Sequence, residues 1–246
     1  MLFWKQTLPQ TEEENPITPL GRWWQALSGN IFSLILLNLV IIAFLLPAIA
    51  CVWAFLTFGG LVLIPAILVA FGLAGAAYTA VSKSIRELQF GMPVYLWKAL
   101  FGYFKQYFWR GFTAGIICTS LLALVLLVII IGTQGILALP LLIVICLTFG
   151  IFLLIPIIFY TFEQLTQMEL RMAAVFKNSL LLIFAMGWRS VLLNALWLLP
   201  ATLLMLFPNI IIPLCILPGL PALLCLSGQA ITHAKLNRLF GEAVSK

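Results

Sequence analysis

Catalysis needs ionisable or nucleophilic side chains in company, and this chain offers few: one histidine, His233, seven acidic residues that are all glutamate, and five cysteines. A nucleophile beside a base, a metal-ligand cluster, or a glycine-rich loop opening a helix after a strand would each leave a recognisable spacing. The sequence shows none of them. Cys51, Cys118, Cys146, Cys215 and Cys225 stand singly in apolar surroundings, without paired metal or redox spacing, and read as small apolar residues. His233 follows an apolar stretch, where a hydrated or interfacial histidine is expected rather than a lone ligand. The residues imply no enzyme, no cofactor and no metal.

What remains are polar groups that can make contacts. Glu163, Arg171, Lys177 and Asn178 lie in one charged segment and are candidates for contact with another protein, with Glu163 and Gln167 spaced for one helix face. Lys98, Lys105, Trp109, Arg110, Trp188 and Arg189 combine cations with tryptophan and are candidate anchors at a membrane surface. Asn38 and Asn194 lie within long apolar stretches and are candidate intramembrane contacts, of the kind worth about 0.6 to 2 kcal/mol between helices.

The elements that must position these groups follow from composition. Of 246 residues, 64% are apolar and 8% charged, where a soluble domain carries about 25% charged. This is the composition of an all-α integral membrane protein. Three blocks carry no charge: 60 residues from Trp23 to Ser82, 52 from Gly111 to Phe162, and 45 from Ser190 to Ala234. A span needs about 20 residues, so each block fits two spans and a turn. Six transmembrane helices are expected, as three hairpins, each preceded by an interfacial helix or segment. All 13 Lys and Arg residues lie outside the blocks, so the positive-inside rule places every charged segment, and both termini, in the cytoplasm. The net charge of +6 then marks topology and a rim for anionic lipid, not a nucleic-acid footprint.

Along the chain, residues 1–18 form a tail, 19–234 a single transmembrane domain, and 235–246 a cytoplasmic C-terminal tail. Spans are expected at about Ile31 to Ala50, Leu61 to Val81, Gly111 to Ile131, a fourth ending near Tyr160, Ser190 to Phe207, and a sixth broken by Pro213, Pro218 and Pro221. Gly59 and Gly60 mark the first turn, and Gly132 to Gly135 the second. The second span carries Gly72, Gly75, Ala76, Ala77 and Ala80, a small-residue face that another helix can approach closely, and Gly111 and Gly115 form a GxxxG suited to packing within the bundle. Between the first two blocks, Pro93 to Arg110 reads as a surface helix. Its Lys98, Gly102, Lys105 and Gln106 share one arc, and Leu96, Leu100, Tyr103, Phe104 and Tyr107 the other.

A repeat links the units. Lys98 precedes Trp109-Arg110 by the same spacing as Lys177 precedes Trp188-Arg189, and Trp24-Gln25-Ala26-Leu27 echoes Trp97-Lys98-Ala99-Leu100. Three stretches, Leu36-Leu37-Asn38-Leu39 with Leu46-Pro47, Phe101 to Gln106, and Lys177 to Leu182, carry a resemblance to the YesL-like family of small bacterial integral membrane proteins, which often accompany carbohydrate-uptake systems. The family's Gly-Pro-Ala turn would fall near Gly72-Leu73-Ala74, where this chain has no proline. The third charged segment also resembles membrane domains of the glycerophosphodiesterase type. The YesL-like resemblance implies a membrane-protein partner such as a transport system, and neither resemblance supplies a catalytic residue. Together with the absence of charge inside the blocks, this leads to an accessory or assembly subunit acting through its cytoplasmic face and helix contacts; the alternative is a passive facilitator of a small or lipid-like solute.

Overall fold

The structure is a computed structural model that describes residues 18–60, 62–89, 96–133, 141–206 and 220–244. Among these the fold is all-helical: α1 Pro19–Gly29, α2 Ile31–Phe58, α3 Leu63–Gln89, α4 Leu96–Thr133, α5 Leu141–Gln167, α6 Met172–Met186, α7 Trp188–Leu206 and α8 Leu220–Val244. Three of the described helices, α2, α3 and the Leu96–Val125 part of α4, are long and apolar enough to cross a membrane, or four spans if the bent pair α6 and α7 counts as one. That is the character of a membrane protein.

Local sequence explains the breaks. Thr18 caps α1 by accepting from the Gly21 N–H at 3.2 Å, and Pro19 fills a first-turn position that needs no donor. Gly59 ends α2 in the left-handed region at φ 64°, its N–H donating to the Phe55 carbonyl at 2.8 Å, so the first turn falls where the two glycines place it. Between α6 and α7 the chain turns through 104° at Gly187, whose φ of 57° and ψ of −122° a side chain would strain. Pro221 is the second residue of α8, a place where proline is tolerated. The remaining turn residues of the sequence reading from Gln134 to Gly135 and from Pro208 to Pro218 lie outside the described residues.

Packing is tightest between α3 and α4. The small-residue face of α3 meets the GxxxG of α4 backbone to backbone: a Cβ added at Gly75 would lie 2.6 Å from the Gly115 Cα, and one at Gly111 would lie 2.8 Å from the Ala76 Cα. With Ala76, Ala77 and Ala80 fully buried beside it, this seam joins α3 to α4 by dispersion at close range. One apolar cluster, including Leu37, Ile85 and Leu226, gathers α1, α2, α3, α4 and α8; a second, including Tyr160, Met186 and Leu193, joins α5 to α6, α7 and α8.

Two expectations change. Of the surface helix expected over Pro93 to Arg110, residues 93–95 lie outside the described residues, and the rest is not a separate helix. From Leu96 it forms the first turns of α4, which runs unbroken for 38 residues, about 57 Å at 1.5 Å per residue. The two arcs are as expected, with Lys98, Gly102, Lys105 and Gln106 exposed, but protein rather than lipid covers the aromatic arc. Leu100 is in the core with Tyr103 and Phe104 against it, the Phe44 and Phe104 rings lie 5.4 Å apart, and the Tyr103 hydroxyl donates to Glu87 at 2.5 Å. Second, Glu163 is not on the surface: the helix runs on past Tyr160, where the fourth span is expected to end. Thr161 to Gln167 contains no breaker, so the helix continues for two more turns and carries Glu163 into the interior.

Candidate functional site

Those two turns of α5 are the polar hub of the molecule. Every residue from Phe159 to Thr166 is buried, which for a helix means that it is surrounded on all sides. Its polar side chains leave in different directions and between them reach four helices. Tyr160 turns to α7, where its hydroxyl shares a hydrogen bond with Ser190 at 3.0 Å, and Ser190 donates onward to the Ile183 carbonyl at 3.1 Å. Thr161 and Gln164 turn to α6: Thr161 shares a hydrogen bond with Ser179 at 3.0 Å, and the Gln164 amide donates to the Ser179 hydroxyl at 2.8 Å.

Glu163 turns to α3 and α8. Its Oε1 accepts from the Ser82 hydroxyl at 3.1 Å and from the Gln229 amide at 2.5 Å, and its Oε2 accepts from Gln167 at 3.0 Å. The Gln229 amide also donates to the Ser82 carbonyl and hydroxyl, both at 3.0 Å. At 4% exposure this carboxylate has lost its hydration, and the three donors together with attraction to Arg86 offset that loss. Three helices far apart in the sequence, α3, α5 and α8, meet at this point. Nearby, Arg86 and Arg22 both act on His233 of α8. Among the described residues no three His, Cys, Asp or Glu side chains gather as a metal site would require.

The structure separates the residues that the sequence grouped. Gln167 joins Glu163 as its spacing suggests, but the pair faces inward, so Glu163 is not on a surface with Arg171 and Lys177. Those two cations are exposed, and Asn178 is half-buried beside them. Lys98, Lys105, Trp109 and Trp188 are exposed, the last two at 73% and 66%. Arg110 is half-buried and its Nη2 donates to the carbonyls of Met168 at 2.7 Å and Leu170 at 3.0 Å, holding the link between α5 and α6. Asn194 is buried, but its amide donates to the Ser190 carbonyl one turn back on its own helix, at 3.1 Å, and not across to a neighbour. Asn38, on α2, is also buried, and its Oδ1 has no partner among the described residues. The groups that do bind helices together, Ser82, Gln164, Ser179 and Gln229, have one sequence signal in common: each interrupts an apolar helical stripe with a polar side chain.

A second feature is a side cavity of about 440 Å³ between α1, α7 and α8, with Leu20 and Trp23 on one wall, Trp188 and Leu192 on another, and Ser227 and Ala230 behind. The Trp23 indole donates to the Ser227 hydroxyl at 3.1 Å, fixing α1 to α8. Arg189 lines the cavity, and its Nη1 is buried without a hydrogen-bond partner among the described residues.

Comparison with family models, curated proteins and solved structures finds no match for this chain.

Proposed function

We propose that this chain is a non-enzymatic accessory or assembly subunit of the bacterial plasma membrane that engages a membrane-protein partner, such as a transport system, through its cytoplasmic face. In this reading six spans cross the bilayer with both termini in the cytoplasm: α2, α3, the C-terminal half of α4, α5, α7 and α8. The observation that carries the reading is the contrast between hub and surface. Around α5 the polar side chains turn inward and hydrogen-bond to one another, leaving the Oε1 atoms of Gln164 and Gln229 unpaired among the described residues, whereas Arg171, which caps α6, and Lys177 on it stay exposed, at a short helix turned 104° from α7. A carrier coupled to ions keeps ionisable groups accessible along its path; here the interior carboxylate is engaged by three donors.

Replacing Arg171, Lys177 and Asn178 together by alanine is expected to abolish recovery of a stoichiometric partner from cross-linked native membranes, with insertion unchanged. Solute passage through liposomes at a rate that the triple change leaves unaltered would instead establish the facilitator. For topology, new thiols at Gln134 and Asn209 should react from outside intact cells, and thiols at the exposed positions Gln106 and Glu169 should not. Labelling of the latter pair would refute the six-span arrangement.

A further inference from the structure

The cavity between α1, α7 and α8 is within the size range of small-molecule sites, about 300 to 1,000 Å³. Its chemistry is one-sided. The walls are leucine, isoleucine, alanine and tryptophan with one serine, Ser227, whose hydroxyl is already engaged by Trp23; Arg189 lines them, and its Nη1 is buried with no acceptor among the described residues. An unpaired donor of this kind costs about 1 to 3 kcal/mol, more when charged, so an arrangement that keeps one favours a ligand that supplies an acceptor oxygen.

The internal repeat shows what an arginine at this position does when the chain satisfies it. Arg110 follows Trp109 as Arg189 follows Trp188. Arg110 reaches the segment entering α6 and donates to two carbonyls there. Arg189 instead faces α1, the surface helix of the first unit, which presents Leu20 and Trp23. The mouth of the cavity lies beside Trp188 and Leu20, exposed at 66% and 75%, and tryptophan belongs to the headgroup level of a bilayer. An apolar wall open at that level beside a buried cation matches one molecule class: a lipid with an anionic head and an acyl chain.

We infer that the groove between α1, α7 and α8 binds an anionic phospholipid, with its phosphate on the Arg189 guanidinium and an acyl chain against Leu192 and Ala230. The site rests on the chain being a membrane protein and is independent of the accessory role. The test uses the full-length protein in detergent, with dioleoyl phosphatidylglycerol, dioleoyl phosphatidylcholine or inorganic phosphate as probes. Bound lipid is read by native mass spectrometry and stabilisation by melting temperature. Phosphatidylglycerol should bind at least tenfold more tightly than phosphatidylcholine; Arg189→Ala should remove that preference, and Ala230→Phe should reduce lipid binding with the guanidinium still in place. Equal binding of the two lipids, or an undiminished preference in Arg189→Ala, overturns the site. Stabilisation by inorganic phosphate as strong as that by phosphatidylglycerol overturns the lipid in favour of a free anion. If Arg189→Ala does not fold, Ala230→Phe decides, and wild-type lipid binding in that variant overturns the site.

Discussion

Replacing Gly75 by alanine puts one methyl group into the α3–α4 seam, where the space is already taken. Its carbon would lie 2.6 Å from the Gly115 Cα and 2.7 Å from the Gly111 carbonyl oxygen, against the ~3.5 to 4.0 Å at which carbon contacts are favourable. Both obstacles are backbone atoms, so no rotamer change relieves them, and the helices must part by about 1 Å. Overpacking of this kind costs about 1 to 3 kcal/mol, and a fixed backbone obstacle belongs to the upper part of that range. The better helix propensity of alanine offsets about 0.8 to 1.0 kcal/mol. The net expectation is a loss of ~1 to 2 kcal/mol. Gly102→Ala is the control: a Cβ there meets nothing within 4 Å, so only the propensity acts, for a gain of about 0.5 to 1 kcal/mol. Helical circular dichroism during titration with denaturing detergent measures both variants. A Gly75→Ala protein as stable as wild type, or two variants that shift in the same direction, would refute the argument.

Glu163→Leu strands the Gln167 amide, takes from Gln229 its shortest acceptor and removes a buried charge that attracts Arg86, for an expected loss of about 3 to 5 kcal/mol in the same titration. Gln229→Leu removes one donor and should cost less, about 1 to 3 kcal/mol; equal losses would show that the carboxylate is not the centre of the hub. Gly187→Ala should destabilise by about 1 to 3 kcal/mol through its positive φ alone, and an unchanged midpoint would mean that the α6–α7 bend is not held at this residue. Arg110→Ala frees the Met168 and Leu170 carbonyls, so limited proteolysis should cut the 168–171 link faster than in wild type.

Where the sequence was informative, the signal was local and steric. The small residues of α3 and the Gly111–Gly115 spacing specify a close helix seam whatever surrounds it, and Gly59 specifies a turn because a left-handed residue ends a helix. Periodicity likewise sorted the first turns of α4 into two arcs. It could not say what covers the aromatic arc, because lipid and protein are equally apolar to a hydropathy pattern, and here α2 and α3 take the place expected of headgroups. The hub was hidden for a related reason. A map of charge-free blocks treats a glutamate as the edge of the apolar region, whereas Glu163 is held inside by partners 81 and 66 residues away, and no local window contains them. The groove was hidden too, since its three helices come from opposite ends of the chain.

The meeting of Ser82, Glu163 and Gln229 also ties completion of the fold to the order of synthesis. A ribosome extends the chain at about 5 to 20 residues per second, so Gln229, 66 residues behind Glu163, follows it by roughly 3 to 13 seconds. During that interval Glu163 has Ser82 and Gln167 but not its shortest hydrogen bond, and α3 and α5 have no α8 to close against. A chain that ends before α8 therefore carries a carboxylate it can neither bury at low cost nor expose without opening the α3–α5 contact. Such a product is expected to be less stable than one that has reached Gln229, and α8 acts as the latch that closes α3 onto α5.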